Sequence, residues 1–214
     1  MAIAAGGGAG AFTGWLLALL GRRELQRLYR GRDRRLPKVA WSASPAAGLA
    51  AGVSAGFAGL DVDAVVGVAG VAAALGLAAA ADLRRRLIPN VAVLAIAFQG
   101  LYDAAVYGRL SEAAIAAALS AGILLVPFAI GRGRSGVGRG GIGWGDVKLA
   151  AAIGAWLGPL APAAIVAGSA IGIGWWVVRS LQRGFRLSWR IPYGTALAAG
   201  VALIVGWRLL SFAG

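Results

Sequence analysis

Long apolar stretches, separated by short arginine-rich loops, are the feature that most constrains the fold of this chain. They lie at about residues 2–20, 41–60, 64–81, 91–108, 113–130, 147–160, 161–178 and 193–211. A helix needs roughly 20 apolar residues to cross a bilayer, and it satisfies its own backbone hydrogen bonds there. With 59% hydrophobic residues and a mean hydropathy of +0.77, the chain is more apolar than a soluble domain of 214 residues. We therefore predict an all-α, polytopic transmembrane helix bundle of about eight spans, forming a single domain over residues 1–214.

Two of these stretches need comment. The first is followed, not preceded, by Arg22 and Arg23, which is the reverse of a secretory signal, so we expect it to remain as a helix. The sixth contains Gly158 and Pro159, which interrupt helices, so its boundaries are the least regular.

The basic residues are distributed unevenly around the stretches. Of the 21 Lys and Arg residues, all but Arg109 and Arg208 fall in the loops after the first, third, fifth and seventh stretches. Short loops rich in Lys and Arg stay in the cytoplasm. This asymmetry predicts cytoplasmic basic loops with both termini outside, and it explains the net charge of +13 without a nucleic-acid partner. The same loops can hold anionic headgroups of membrane lipids.

Two cytoplasmic loops have a distinct character. Residues 21–40 form a basic loop in which Leu25, Leu28 and Tyr29 would share one face of a helix lying along the interface. Residues 131–145, GRGRSGVGRGGIGWG, form a glycine-rich loop with no phosphate-binding pattern. We predict that this second loop is a mobile gate or substrate lip.

Cysteine and histidine are both absent from the sequence. The chain therefore has no thiolate nucleophile, no Ser-His pair and no zinc site of the H-E-x-x-H type. Carboxylates, or a Ser-Lys pair, are the groups left for catalysis, and no organic cofactor is expected.

Asp82 and Asp146 are the acidic residues on the predicted cytoplasmic side that touch an apolar stretch directly. Carboxylates at such positions cost free energy and usually serve a function. Two aspartates at one membrane depth could share a proton if the third and sixth spans are neighbours, which gives an acid and a base. Structural roles stay open: Asp82 could pair with Arg85 or Arg86, and Asp146 could cap a helix. Glu24 and Asp33, in the first basic loop, are expected to take no part.

Other polar and aromatic residues near this face have simpler explanations. Lys148 lies two positions after Asp146, so we expect it to point away and extend toward the headgroups. A Ser-Lys pair with Lys148 is the alternative nucleophile, but Ser135, Ser180 and Ser188 lie in loops. Three tryptophans are predicted interfacial anchors, namely Trp41, Trp144 and Trp189.

Three segments of the sequence resemble the type IV prepilin peptidases. Residues 82–90 (DLRRRLIPN), which include Pro89, are similar to the first aspartate motif of that family. Residues 143–149 (GWGDVKL) are similar to the second, the GxGD motif, with Gly143, Gly145 and Lys148 as supporting positions. Residues 191–196 (IPYGTA) are similar to a segment near the C-terminus of the family.

The resemblance covers about residues 60–205 and implies a function. It implies an aspartic endopeptidase of the inner membrane that uses Asp82 and Asp146, without a metal. Its substrates would be prepilin or pseudopilin precursors, whose basic leader is cut at the cytoplasmic face. Larger members, which also methylate the new N-terminus, carry paired cysteines in a cytoplasmic insertion. This chain lacks them and looks like the short members associated with tight-adherence pili, so the resemblance does not support methylation.

Another class of function remains open from the residues themselves. The same carboxylates could carry protons in a proton-coupled membrane transporter, or pair with cations in a non-enzymatic scaffold. A peptidase shortens a precursor protein, whereas a transporter or scaffold does not.

Overall fold

The helices of the protein follow the apolar stretches closely. The computed structural model describes residues 11–21, 23–24, 38–57, 59–134, 142–183 and 191–212, and within them it contains no strand. The described helices are α1 (Ala11–Gly21), α2 (Lys38–Phe57), α3 (Val62–Arg85), α4 (Asn90–Val106), α5 (Leu110–Arg134), α6 (Trp144–Leu157), α7 (Ala161–Arg183) and α8 (Tyr193–Phe212), with a 3-10 turn at Gly158–Leu160 between α6 and α7. The predicted all-α class is confirmed.

Four helical segments are long and apolar enough to cross a membrane, which makes this a multi-pass membrane protein. They are Val62–Arg85, Leu110–Ile130, Trp144–Arg183 and Tyr193–Ser211. The helices Ala11–Gly21 and Asn90–Val106 are apolar but shorter. The described residues thus contain four clear spans rather than about eight, and the total number remains a prediction.

Large apolar side chains cover much of the outer surface. Phe98 and Trp207 are both 73% exposed, and Leu181 is 82% exposed. In water such side chains would favour aggregation, whereas in a bilayer they face lipid tails. The interior is instead filled by alanine together with Leu, Ile and Val side chains.

Helix α3 carries defined signals at both ends. At its start, Asp61 accepts a hydrogen bond from the backbone N–H of Ala64 at 2.8 Å, which satisfies one unpaired donor of the first turn. At its end, Arg86 adopts the left-handed conformation (φ 55°) and its N–H donates to the carbonyl of Asp82. This conformation costs a non-glycine residue about 1–2 kcal/mol. The turn reverses the chain directly after Asp82.

The predicted sixth and seventh stretches are separated by a sharp break. Gly158 ends α6 with φ 56° and ψ −130°, a conformation that residues with a side chain rarely adopt. Helix α6 has 14 residues and so is about 21 Å long, which is shorter than a typical hydrocarbon core. The expected irregularity at Gly158 and Pro159 is confirmed.

Glycine lets α6 lie close to its neighbours on two sides. A Cβ at Gly100 of α4 would come within 2.6 Å of the backbone of Trp156, and a Cβ at Gly154 of α6 would come within 2.5 Å of the Ala116 carbonyl of α5. The helix backbones therefore touch, as small residues permit in membranes. Helix α6 packs against α4 and α5, while α3 packs against α2, α4 and α8.

A buried serine ties the first three helices together. The Ser44 hydroxyl is fully buried and lies 3.0 Å from the carbonyl of Gly14 and 2.8 Å from that of Ala73. Hydrogen bonds of this kind satisfy a polar group that lipid cannot. They position α1 and α2 against α3.

Candidate active site

A cavity of about 330 Å³ opens at the end of the bundle where α3 ends and α4 and α6 begin. Asp82 and Asp146 both line it, and their side chains are 5% and 8% exposed. The two carboxyls lie close enough to interact electrostatically. The remaining lining residues are Glu24, Arg86, Leu87, Ile88, Pro89, Asn90, Val93, Gly143, Trp144, Gly145 and Lys148.

The Asp82 carboxyl is held by the start of α8. Its Oδ2 atom accepts a hydrogen bond from the backbone N–H of Thr195 at 3.0 Å and lies 3.4 Å from the Thr195 hydroxyl. That hydroxyl also lies 3.0 Å from the carbonyl of Ala79, one turn before Asp82. A single threonine therefore connects α8 to the last turn of α3. Arg86 interacts electrostatically with the same carboxyl.

The Asp146 carboxyl closes the first turn of α6. Its Oδ2 atom accepts a hydrogen bond from the backbone N–H of Gly143, the N-cap residue, at 2.8 Å. A carboxylate at this position also complements the positive end of the helix dipole. The N-cap residue is thus Gly143 and not Asp146 as suggested, but the Asp146 side chain bonds back to it from the first turn and also lines the cavity. This hydrogen bond fixes the orientation of the carboxyl and is compatible with a catalytic role.

Ile88 packs between the glycines beside the two aspartates. A Cβ at Gly145 would lie 3.3 Å from Cβ of Ile88, and a Cβ at Gly194 would lie 2.8 Å from its Cδ1. The Gly194 Cβ would also come within 3.2 Å of Asp82 Oδ2. No side chain larger than hydrogen fits at either glycine without displacing a neighbour. The segment between α3 and α4 thus separates the N-terminus of α6, which carries Asp146, from the N-terminus of α8, which carries the hydrogen-bond donors to Asp82.

Glu24 and Lys148 both form hydrogen bonds with Asn90, the first residue of α4. The Glu24 carboxylate accepts hydrogen bonds from the backbone N–H groups of Asn90 and Val91, each at 3.0 Å. The Lys148 ammonium donates to Oδ1 of Asn90 at 3.1 Å. Lys148 therefore lines the same cavity as Asp146 and bonds to Asn90, while its extension toward the headgroups stays a prediction.

Tyr193 lies beside the site at the start of α8. Its hydroxyl is 2.6 Å from the Ser169 hydroxyl, which itself lies 2.8 Å from the carbonyl of Ile165. Because a serine has one proton and a carbonyl can only accept, Tyr193 donates to Ser169. The phenol also interacts electrostatically with Asp146. This contact joins α7 to the first turn of α8.

The structure brings the predicted catalytic pair together in an unexpected way. A shared proton was expected on condition that the third and sixth spans are neighbours, and in the structure α3 and α6 have α4 and α8 as common packing partners. The carboxyls converge because both lie at helix ends on the same side of α4. The supporting residues Pro89, Gly143, Gly145 and Lys148 all line the cavity.

Several other predictions are corrected or fall outside the described residues. Helix α5 continues to Arg134, and Trp144 and Gly145 begin α6, so the predicted loop 131–145 is shorter than expected. Ser180 lies on α7 and does not line the cavity. Trp144 is 53% exposed, and its ring centroid lies 5.5 Å from that of Phe128. Predictions for residues 25–37, Ser135 and residues 184–190 lie outside the described part of the chain.

Sequence reasoning missed five residues of this site. Thr195 and Gly194 belong to the IPYGTA segment, whose similarity was noted without a role for its residues. Asn90 ends the first aspartate motif, and Ile88 lies inside it. Glu24 was expected to lie apart from the site, but it lines the cavity. Nothing in the local sequence of Glu24 indicates a contact with residues 66 and 67 positions away.

The cavity offers limited means to hold a metal ion. Among the residues that the structure describes, no group of three or more His, Cys, Asp or Glu side chains could bind one. The chemistry available from the described lining residues is that of paired carboxyls with nearby cationic and amide groups.

Comparison with known proteins gives a consistent family. Residues 69–177 match the model of the type IV leader peptidase family. The chain is 32% identical over 139 residues to a prepilin leader peptidase/N-methyltransferase of Aeromonas hydrophila, covering 61% of this chain and 48% of that protein. It is 34% identical over 148 residues to the protein of that name from Burkholderia pseudomallei, covering 62% of this chain and 43% of that protein.

The similarity covers only part of this chain and of each relative. A third protein of the same name, from Aeromonas salmonicida, is 34% identical over 132 residues, with 60% of this chain and 43% of that protein covered. The chain therefore spans less than half the length of these relatives. No solved structure matches it significantly.

Proposed function

Because this chain belongs to the type IV leader peptidase family, we propose that it is an aspartic endopeptidase that cleaves prepilin-like precursors. The observation that carries the proposal is the convergence of Asp82 and Asp146, both almost fully buried, on one cavity. Buried carboxyls that interact with one another cost free energy, and such groups are found mainly at functional sites.

The proposed reaction uses a water molecule between the two carboxyls. One carboxylate accepts a proton from the water while the other carboxyl group donates a proton to the scissile carbonyl oxygen. Attack of the water oxygen on the carbonyl carbon forms the new C–O bond. Collapse of the tetrahedral intermediate breaks the C–N bond: the first carboxyl gives its proton to the leaving nitrogen, and the second takes a proton from a hydroxyl of the intermediate. This restores both carboxyls and releases the leader and the shortened protein.

The hydrogen bonds support a division of roles within the pair. Asp82 accepts a hydrogen bond from the Thr195 backbone N–H and lies near the Thr195 hydroxyl and Arg86. Such neighbours stabilise an ionised carboxylate. Asp146 receives the Gly143 N–H and has Asp82 as a like-charged neighbour. Asp82 is therefore better suited to act as the base, and Asp146 to carry the shared proton.

The proposed setting follows from charge and family. The distribution of basic residues supports a cavity at the cytoplasmic face of the inner membrane, in a protein of about eight spans with both termini outside. The substrates are prepilin or pseudopilin precursors that carry a short basic leader. Membrane lipids are the other expected partners, and nucleic acid is not.

Cleavage of a co-expressed precursor tests this function. A tagged prepilin is expressed with the wild-type enzyme or with Asp146→Asn, and its length is followed on a gel. We expect shortening with the wild-type enzyme only. A precursor that keeps its full length beside well-inserted wild-type enzyme would favour a transporter or scaffold.

A further inference from the structure

We propose that Glu24 is a positioning residue of this site, although it lies outside the segment that matches the family. Its carboxylate caps α4 and thereby fixes both the α3–α4 wall of the cavity and the Lys148 ammonium. This inference rests on the proposed function, because its effect is read through cleavage.

Helix α4 lacks a cap of its own. Its N-cap residue is Pro89, which forms no side-chain hydrogen bond to the first turn, so the N–H groups there need an acceptor from elsewhere. Glu24 provides it, with one oxygen bonded to Asn90 N and the other to Val91 N. A carboxylate also complements the positive end of the α4 dipole. Glu24 thus performs for α4 what Asp61 performs for α3.

The capped residue leads directly to the second aspartate motif. The Asn90 side chain accepts a hydrogen bond from Lys148, two residues after Asp146. Glu24 fixes the Asn90 backbone, and Asn90 fixes the ammonium. These hydrogen bonds connect Glu24, which follows α1, to the start of α4 and the start of α6 around the cavity that both aspartates line.

The same cap fixes the spacing of the two aspartates. The segment before α4 carries Ile88, which packs against Gly145 and Gly194. That segment is anchored on one side by the Arg86 turn at the end of α3 and on the other by the first turn of α4. Release of the α4 N-terminus would loosen Ile88 and, with it, the geometry of the pair.

The test compares two capping carboxylates in the purified enzyme. Glu24→Ala and Glu24→Gln are assayed on a prepilin for kcat and KM, next to Asp61→Ala, which removes a cap from the opposite end of α3. We expect Glu24→Ala to lower kcat about tenfold or more with a smaller change in KM, because misplaced catalytic groups slow the chemical step. Glu24→Gln should lose less, since its amide oxygen still accepts one bond. Asp61→Ala should keep kcat within about twofold at matched folded protein.

Two further measurements separate positioning from stability. The loss caused by Glu24→Ala should shrink in a Lys148→Met background, because residues that act through one another are not additive. In addition, a cysteine at Leu87 should react faster with maleimide when Glu24 is replaced by alanine. The chain has no native cysteine, so this label reports the cavity wall alone.

Each outcome decides the proposal. Wild-type kcat in Glu24→Ala, or equal losses of kcat in Glu24→Ala and Asp61→Ala, would show that Glu24 is only a stabilising cap or none. Unchanged labelling at Leu87 would contradict the contact itself. If the wild-type enzyme cleaves no prepilin, the proposed function fails, while the labelling result still tests whether Glu24 holds the wall.

Discussion

The Oδ2 atom of Asp82 accepts a hydrogen bond from the backbone N–H of Thr195 at 3.0 Å, across 113 positions of sequence. This bond joins the last turn of α3 to the first turn of α8. The IPYGTA segment therefore belongs to the candidate site, and its threonine acts on the carboxyl that we assign as the base.

The first prediction concerns the Thr195 hydroxyl. Thr195→Val keeps the backbone donor and removes the hydroxyl, which lies 3.4 Å from Asp82 Oδ2 and 3.0 Å from the Ala79 carbonyl. We expect kcat to fall by up to about tenfold, the value of one weak bond to a charged group. Loss of a donor disfavours the ionised carboxyl, so the acidic limb of the pH–rate profile should move to higher pH. Thr195→Ser, which keeps the hydroxyl, is the control and should behave like the wild type.

The second prediction concerns the space at Gly194. The Cβ of Gly194→Ala would lie 2.8 Å from Cδ1 of Ile88 and 3.2 Å from Asp82 Oδ2. Displacement of the carboxyl should lower kcat about tenfold to a hundredfold. Adding Ile88→Val removes the closer atom and should restore part of the rate. Gly174→Ala, whose Cβ would meet no atom within 4 Å, should leave kcat unchanged. Full activity in Gly194→Ala would contradict the spacing account.

Much of this fold could be predicted because lipid simplifies the rules. A helix that crosses a bilayer satisfies its own backbone hydrogen bonds and must be long and apolar. Helices α3, α5, α7 and α8 could therefore be located from apolar runs alone. Helix α6 could not be placed as well, since 14 residues between a glycine-rich loop and Gly158 give a weak signal. Apolar runs do not specify which helices touch, so the meeting of the third and sixth spans could be stated only as a condition.

The site could be predicted only where chemistry and local motif coincide. Asp82 and Asp146 could be identified because a carboxylate beside an apolar run is rare and costly. The contacts of Glu24 and Thr195 depend on residues distant in sequence, and no periodicity reveals them. The contact of Lys148 with Asn90 was not predicted, because helix geometry gives the direction of a side chain but not the acceptor that it reaches.

The third prediction concerns orientation. Nearly all basic residues fall in alternate loops, so a cysteine at Ser135 should be labelled by an impermeant maleimide only after the inner membrane is opened. A cysteine at Glu112, near Arg109 in the first turn of α5, should be labelled in intact spheroplasts. The reverse pattern would invert the proposed topology.

The fourth prediction concerns ionisation of the pair. Because Asp82 and Asp146 line one cavity and interact electrostatically, cleavage should depend on two apparent ionisations that belong to the pair. The pH profile of kcat/KM for the wild-type enzyme measures them. A single ionisation across the whole active range would count against a shared proton.

The central claim is that Asp82 and Asp146 act as one catalytic unit, and replacement of each carboxyl by its amide tests it most directly. Asp→Asn keeps the size of the side chain and removes its titratable charge, so the variants should insert at normal levels. Prepilin cleavage is measured for Asp82→Asn, Asp146→Asn and the double variant, with Asp61→Asn as control. We expect no cleavage in either single variant, no further loss in the double variant and normal cleavage in the control. Processing of prepilin by an Asp146→Asn enzyme that inserts normally would contradict the account.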